Sequence, residues 1–241
     1  MVIDIKDRVK SAALQGKIVT AYEAALLINP NDKVGISGFT PSGYAKAVPL
    51  ALAERMEKEP FKIDLWTGAS VGDEADGALT RANGIHRRFP YQTNGDTRKA
   101  LNSGKMNYID MHLSTMAQNV RYGFFGDLDV AIIEAAQINE DGSIVPTTSV
   151  GNSPTFVSQA KKVIVEVCQI NFEWFFFHSF SQSQWYSFCI TRWSKAGNTN
   201  FIIVVNHLSC FISCDNFALE GRIFNAIFDV YHRTISLKSP C

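Results

Sequence analysis

The chain has 241 residues, and its 23 Lys and Arg are matched by 23 Asp and Glu, leaving it formally neutral at pH 7. That length supports one large domain or two small ones with a sizeable core. The charge balance excludes a general electrostatic attraction to nucleic acid or to an anionic membrane surface.

In chain order, "MVIDIKDRVK" is charged from residue 4 onward and has no apolar h-region, so no signal peptide is expected. "TAYEAALLI" (20–28) opens with Thr20 and has Glu23 three places on, the capping-box pattern of a helix start. "DKVGIS" (32–37) predicts a buried strand. "GYAKAVPLALAERMEK" (43–58) predicts a helix despite Pro49. "FKIDLWTG" (61–68) alternates like a strand, and "DEADGALTRAN" (73–83) is helical. "NGDTRKALNSGK" (94–105) predicts a helix with Asp96 or Thr97 near its cap. "TMAQNVRYG" (115–123) predicts a short amphipathic helix ending at Gly123. "LDVAIIEAA" (128–136) and "KVIVEV" (162–167) predict buried strands, with a helix in "SPTFVSQA" (153–160) between them. Such alternation predicts an α/β fold with a mainly parallel open sheet flanked by helices. Ligands of such sheets sit beyond the carboxyl ends of the strands.

Four loops fall there. "SGFTPSGYAK" (37–46) brings Gly38 and Gly43 with Ser37, Thr40 and Ser42 to a helix start, a combination that suits an anion or a carbonyl oxygen. An ordinary strand-to-helix turn explains the same residues. The loop matches neither the P-loop nor the G-x-G-x-x-G pattern. "TGASVGDEADG" (67–77) is similar, with Asp73 and Glu74 as first-turn acids of the next helix. "RRFPYQTNGD" (87–96) puts forward Arg87 and Arg88, either for phosphate or as a solvated basic pair. "VPTTSVGNSP" (145–154) adds four hydroxyl residues, a Gly and an Asn. Together the four describe a polar pocket with backbone donors. His86 and His112 have no partner at a telling spacing, and His112 reads as a satisfied buried histidine.

The blocks "SGFTPSGYAKAVPLAL", "TGASVG", "GALTRANGIHRRFPYQT", "DMHLSTMAQNVRYG", "DVAIIEAAQINEDGSIVPTTSVGNSPTF" and "KVIVEV" resemble, in order, the N-terminal half of the acetyl-CoA hydrolase/transferase family. These are class I coenzyme A transferases that move CoA between succinyl-CoA or another short acyl-CoA and acetate. The resemblance covers about residues 4–167 in register. It implies two similar α/β domains in the whole enzyme, with the active site between them. It implies that Ser70 of "TGAS" and Thr93 of "PYQT" lend the pocket side chains, and that Gly38 neighbours the acyl-CoA. It implies acyl-CoA and short carboxylates as partners, coenzyme A as substrate with no resident cofactor or metal, and a homo-oligomeric full-length form.

In the family a glutamate of the second domain attacks the thioester to give a mixed anhydride, which the CoA thiolate then converts to a glutamyl–CoA thioester. No catalytic residue is carried over to this chain. Glu134 of "AIIEAA" ends a strand where a catalytic group could sit, but its family position implies a structural role. The expected function is therefore short-chain acyl-CoA hydrolase or CoA-transferase chemistry, weak or absent in this chain alone. The alternative is a non-catalytic fragment, unstable or dependent on a second chain that carries the C-terminal domain. Sugar-phosphate chemistry, which related α/β folds handle, is a third reading.

The composition breaks at Cys168. All five Cys, 11 of the 17 Phe and three of the four Trp lie at or after it, whereas 14 of the 16 Gly and seven of the eight Pro lie before it. Loop punctuation that stops two-thirds of the way along divides the chain into residues 1–167, the family-like domain, and an atypical tail, 168–241. "CQINFEWFFFHSFSQSQWYSFCITRW" resembles no family pattern, and "NFALEGRIFNAIFDVYHRTISL" (216–237) faintly recovers an "LEG" motif, which fits an unspliced intron or gene-model error. His207, Cys210 and Cys214 lack a fourth zinc ligand, so no metal site is expected. The run "FIIVVNHLSCFI", broken by Asn206 and His207, is too short and polar to span a bilayer. Cysteine-poor residues 1–167 fit a reducing interior, cytosol or mitochondrial matrix.

Overall fold

The strand-forming runs meet in a single sheet. The structure, a computed structural model, describes residues 5–39, 42–168 and 201–206. Their strands are β1 (Ile18–Val19), β2 (Lys33–Ile36), β3 (Ile63–Trp66), β4 (Ile85–Phe89), β5 (Asn107–Tyr108), β6 (Val130–Ile138), β7 (Ile144–Pro146), β8 (Lys162–Cys168) and β9 (Phe201–Asn206). The order across the sheet is β1-β9-β8-β6-β2-β3-β4-β5, with β7 antiparallel on β6 and every other pairing parallel. This is the expected mainly parallel sheet flanked by helices.

Strands in such a sheet are buried on both faces. That explains why β3, whose "IDLW" alternates in polarity, is buried at all four positions. β6 divides its side chains by parity. Val130 and Ile132 join a core with Val48, Leu52 and Met56, while Ala131, Ile133 and Ala135 join a second core with Trp66, Phe89 and Phe156. β9 pairs Ile203 with Val165 of β8 and with Ile18 of β1. A strand from the compositionally atypical stretch thus lies within the sheet.

The helices are α1 (Ile5–Arg8), α2 (Ala12–Gln15), α3 (Ala21–Ala25), α4 (Ala47–Lys58), α5 (Ala78–Arg81), α6 (Gly95–Asn102), α7 (Leu113–Arg121) and α8 (Ser153–Gln159), with a π-helical turn, Asp73–Gly77, ahead of α5. The expected capping box is present at α3: Glu23 N–H donates to Thr20 Oγ1 at 3.2 Å and Thr20 N–H to Glu23 Oε2 at 2.8 Å. α4 starts at Ala47, four residues later than predicted. Pro49 is its third residue, where no intrahelical acceptor is yet available for an N–H, so nothing is lost. α6 is capped by Asn94, whose Oδ1 accepts from Asp96 N–H at 2.9 Å and Thr97 N–H at 3.1 Å, rather than by Asp96 or Thr97.

Candidate functional site

β2, β3 and β4 are parallel neighbours, so the segments that follow them leave one edge of the sheet. The β6–β7 hairpin turns the chain back, and Pro146 pairs with Ala135, so the stretch after β7 returns toward that edge. Four hydrogen bonds join it to the loop after β2. Ser42 Oγ lies 2.7 Å from Thr148 Oγ1, and Ser149 Oγ donates to the Ser42 carbonyl at 2.8 Å. Asn152 N–H donates to Ser37 Oγ at 2.7 Å, and Ser153 Oγ to the Ser37 carbonyl at 3.4 Å. Two glycines allow this closeness. A Cβ on Gly43, whose φ is +66°, would lie 2.4 Å from Ser149 Oγ; one on Gly151, whose φ is +51°, would lie 2.7 Å from the Gly38 carbonyl oxygen. Thr40 is outside the described residues.

The loops after β3 and β4 contribute the hydroxyl pair. Thr93 Oγ1 donates to Ser70 Oγ at 3.0 Å, with Ser70 buried and Thr93 exposed. The two loops are also clamped together. Arg81 grips both oxygens of Asp73 at 2.9 Å and reaches Asp96 at 3.0 Å, while Asn94 Nδ2 donates to Asp73 at 2.9 Å. The Arg81 bonds hold the Asp73 carboxyl below its ordinary range, against a smaller opposing push from burial. Asp73 and Glu74 therefore act as loop ties as well as first-turn acids.

A buried polar layer supports the loops from below. Tyr44 Oη donates to Glu74 Oε2, and burial first, then Glu74, pushes the phenol upward. Lys46 Nζ donates to the Tyr44 carbonyl at 2.9 Å, lies 4.3 Å from the Tyr44 ring centroid and pairs with Glu134 Oε1 at 3.5 Å. The other oxygen of Glu134 accepts from Thr147 Oγ1 at 2.8 Å. Glu134 thus joins the loop after β2 to the stretch after β7. Burial raises its carboxyl, and Lys46 and Thr147 pull it back only in part. Beside it on β8, Glu166 accepts from the N–H groups of Lys46 at 2.9 Å, Ala47 at 3.1 Å and Val48 at 2.7 Å. Of the two readings of this helix start, an ordinary turn or an anion cradle, the N–H groups of Lys46, Ala47 and Val48 fit the first, since they already serve Glu166.

Other sequence expectations change as well. Arg87 and Arg88 belong to β4 rather than to a loop. Arg88 is fully buried and donates to Asp76 at 2.7 and 2.8 Å, so it faces neither phosphate nor solvent. Arg87 is paired with Asp64, whose other oxygen lies 2.9 Å from His86 Nδ1. His112 is exposed and caps α7 through Ser114, rather than being buried. Among the described residues there is no group of three or more metal-ligating side chains, and no helix long and apolar enough to cross a membrane. His207, Cys210 and Cys214 lie outside those residues.

The structure therefore places Gly38, Ser70 and Thr93 on loops at one sheet edge. It adds Tyr44, Lys46, Glu74, Arg81, Asn94 and Glu166, none of them singled out by sequence for the part it plays. No local pattern marks Lys46 and Glu134, which meet across 88 positions. Chemically, the edge offers hydroxyls and a tied backbone. Its acids Asp73, Glu74, Asp96 and Glu134 are all engaged.

The sequence profile of the acetyl-CoA hydrolase/transferase N-terminal domain matches residues 3–175. The chain is 51% identical over 162 residues to a succinyl-CoA:acetate CoA-transferase of Clostridium kluyveri, covering 66% of this chain and 30% of that protein. It is 40% identical over 174 residues to an acetyl-CoA hydrolase of Saccharomyces cerevisiae, covering 68% of this chain and 33% of that protein. It spans about a third of the length of these relatives. Among solved structures, glutaconate coenzyme A-transferase from Acidaminococcus fermentans superposes with a TM-score of 0.57 at 16% identity, over 81% of this chain and 77% of that one. At that identity the likeness concerns the fold alone.

Proposed function

The chain belongs to the acetyl-CoA hydrolase/transferase family, and from that premise we propose that its loop edge holds the thioester end of a short-chain acyl-CoA. The observation that supports this reading most is the Ser70–Thr93 hydroxyl pair at 3.0 Å, set where adjacent parallel strands deliver their loops. Hydroxyls and backbone donors at fixed positions suit a carbonyl oxygen that gains charge as its carbon is attacked. The attack itself needs a carboxylate. In the family that carboxylate belongs to the second domain, and membership implies that here too it comes from outside these loops. It adds to the thioester carbonyl carbon, the C–S bond breaks and CoA leaves as thiolate, giving a mixed anhydride. The thiolate then attacks the enzyme's carbonyl of that anhydride, forming an enzyme–CoA thioester and releasing the first carboxylate. Acetate or another short carboxylate that takes the CoA from this thioester gives a CoA-transferase; water that resolves it gives a hydrolase. The described residues bind and orient, and turnover by them alone is slight.

Isothermal titration of the chain with acetyl-CoA tests this reading. Binding is expected, weakened about three- to tenfold by Ser70→Ala or Thr93→Val through loss of one hydrogen bond. No acetyl-CoA binding, or tighter binding of a sugar phosphate, would overturn it.

A further inference from the structure

We propose that this chain carries a second ligand site, for a nucleoside diphosphate, at the opposite end of β3 and β4 from the loop edge. An open cleft of about 560 Å³ lies there, lined by Lys62, Arg81, Asn83, Lys105, Ile85 and Met106 among others. Its place follows from the chain. Lys62 immediately precedes β3, Ile85 begins β4, and Lys105 and Met106 immediately precede β5. Ser70 and Thr93 follow the other ends of β3 and β4, and Arg81, which ties the loops through Asp73 and Asp96, is the residue common to both places.

The lining sorts into a polar rim and an apolar floor. Ile85 and Met106 are buried core members, and Ala100 of α6 is packed against the same core. Arg81 is already balanced by Asp73 and Asp96. Among the described residues, Lys62 and Lys105 have no acidic partner and no acidic side chain lines the cleft. The rim thus holds uncompensated positive charge, with the Asn83 amide and Thr80 hydroxyl beside it. Ammonium groups attract phosphate as point charges. A floor of Ile, Ala and Met suits a flat ring, and methionine sulfur packs favourably against aromatic rings. The volume is that of a small-molecule site. A diphosphate joined to a flat base satisfies both parts; inorganic phosphate leaves the floor bare and a free nucleoside leaves the lysines bare.

The test is isothermal titration of the 241-residue chain with ADP, adenosine and inorganic phosphate. The variants are Lys62→Ala/Lys105→Ala, the control Lys10→Ala/Lys58→Ala with the same charge loss, and Ser70→Ala. ADP is expected to bind more tightly than either part. The Lys62/Lys105 variant is expected to lose about tenfold or more in ADP affinity, as charge-assisted bonds are lost, while the control and Ser70→Ala match wild type. Absent ADP binding, an unchanged Lys62/Lys105 variant or an equal loss in the control would overturn the site. Loss with Ser70→Ala but not with the lysine pair would place ADP at the loop edge and overturn it too. Failure of acetyl-CoA binding with ADP binding intact would remove only the acyl-CoA reading.

Discussion

Gly72 is where the two loops of the candidate site are locked, and Gly72→Ala tests that lock. Tyr44 comes from the loop after β2 and its hydroxyl reaches Glu74, in the loop after β3, across the space a side chain at 72 would occupy. A Cβ there would lie 2.1 Å from Tyr44 Oη and 2.8 Å from Cζ. No rotamer adjustment of an alanine relieves this, so Tyr44, which is 1% exposed, must shift. Overpacking of this kind costs about 1–3 kcal/mol. The same shift breaks a bond to a carboxylate, worth about 1.5–3 kcal/mol. Because one movement causes both, the expected loss is about 2–4 kcal/mol rather than the full sum. Tyr44→Phe removes the clashing oxygen and the bond together, so adding Gly72→Ala in that background should cost only about 1 kcal/mol. Urea denaturation of the four chains in the cycle measures the coupling. Costs for Gly72→Ala that agree within about 0.5 kcal/mol in the two backgrounds would refute the argument.

Asp76→Asn should cost about 3–5 kcal/mol, because it leaves the fully buried Arg88 guanidinium without its counter-charge. A shift of less than about 1 kcal/mol, the scale of an exposed pair, would contradict that reading. Glu134 has its carboxyl raised above 4.5, chiefly by burial. The folded chain then keeps a proton that the unfolded chain releases, so this contribution is full below pH 4.5 and is lost as pH rises through the folded value. Glu134→Gln should flatten that decline in a pH series of denaturation curves, and an unchanged slope would count against it. Asp129 behaves in the opposite sense. Burial pushes its carboxyl up, but Lys161 at 2.8 Å and Lys33 N–H at 3.0 Å outweigh it and hold it below 3.8. Its contribution is present above pH 3.8 and lost as pH falls through the folded value, so the deficit of Asp129→Asn should shrink in acid. A deficit independent of pH would show that the pair does not act through charge.

Much of the scaffold was written locally. Thr20 and Glu23 are three residues apart and announce a capping box; "KVGI", "VAIIEAA" and "KVIVEV" are apolar enough to be strands buried on both faces. Interactions within one turn or one strand leave a trace at fixed spacing, and the ordered family-like blocks carried the fold with them. What tertiary structure decided lies between residues that no period connects. Glu166 reaches α4 across 120 positions to fill the helix start that the loop's own residues seemed to leave for an anion. Arg87 and Arg88 look like a surface pair until β4 inserts beside β3, where Asp64 and Asp76 meet them. Gly72 is one small residue among several until Tyr44 passes over it. Buried charge must be paired and crowded space must be vacated, but which distant residue meets that demand is set by how the strands order themselves, and strand order has no counterpart in local spacing.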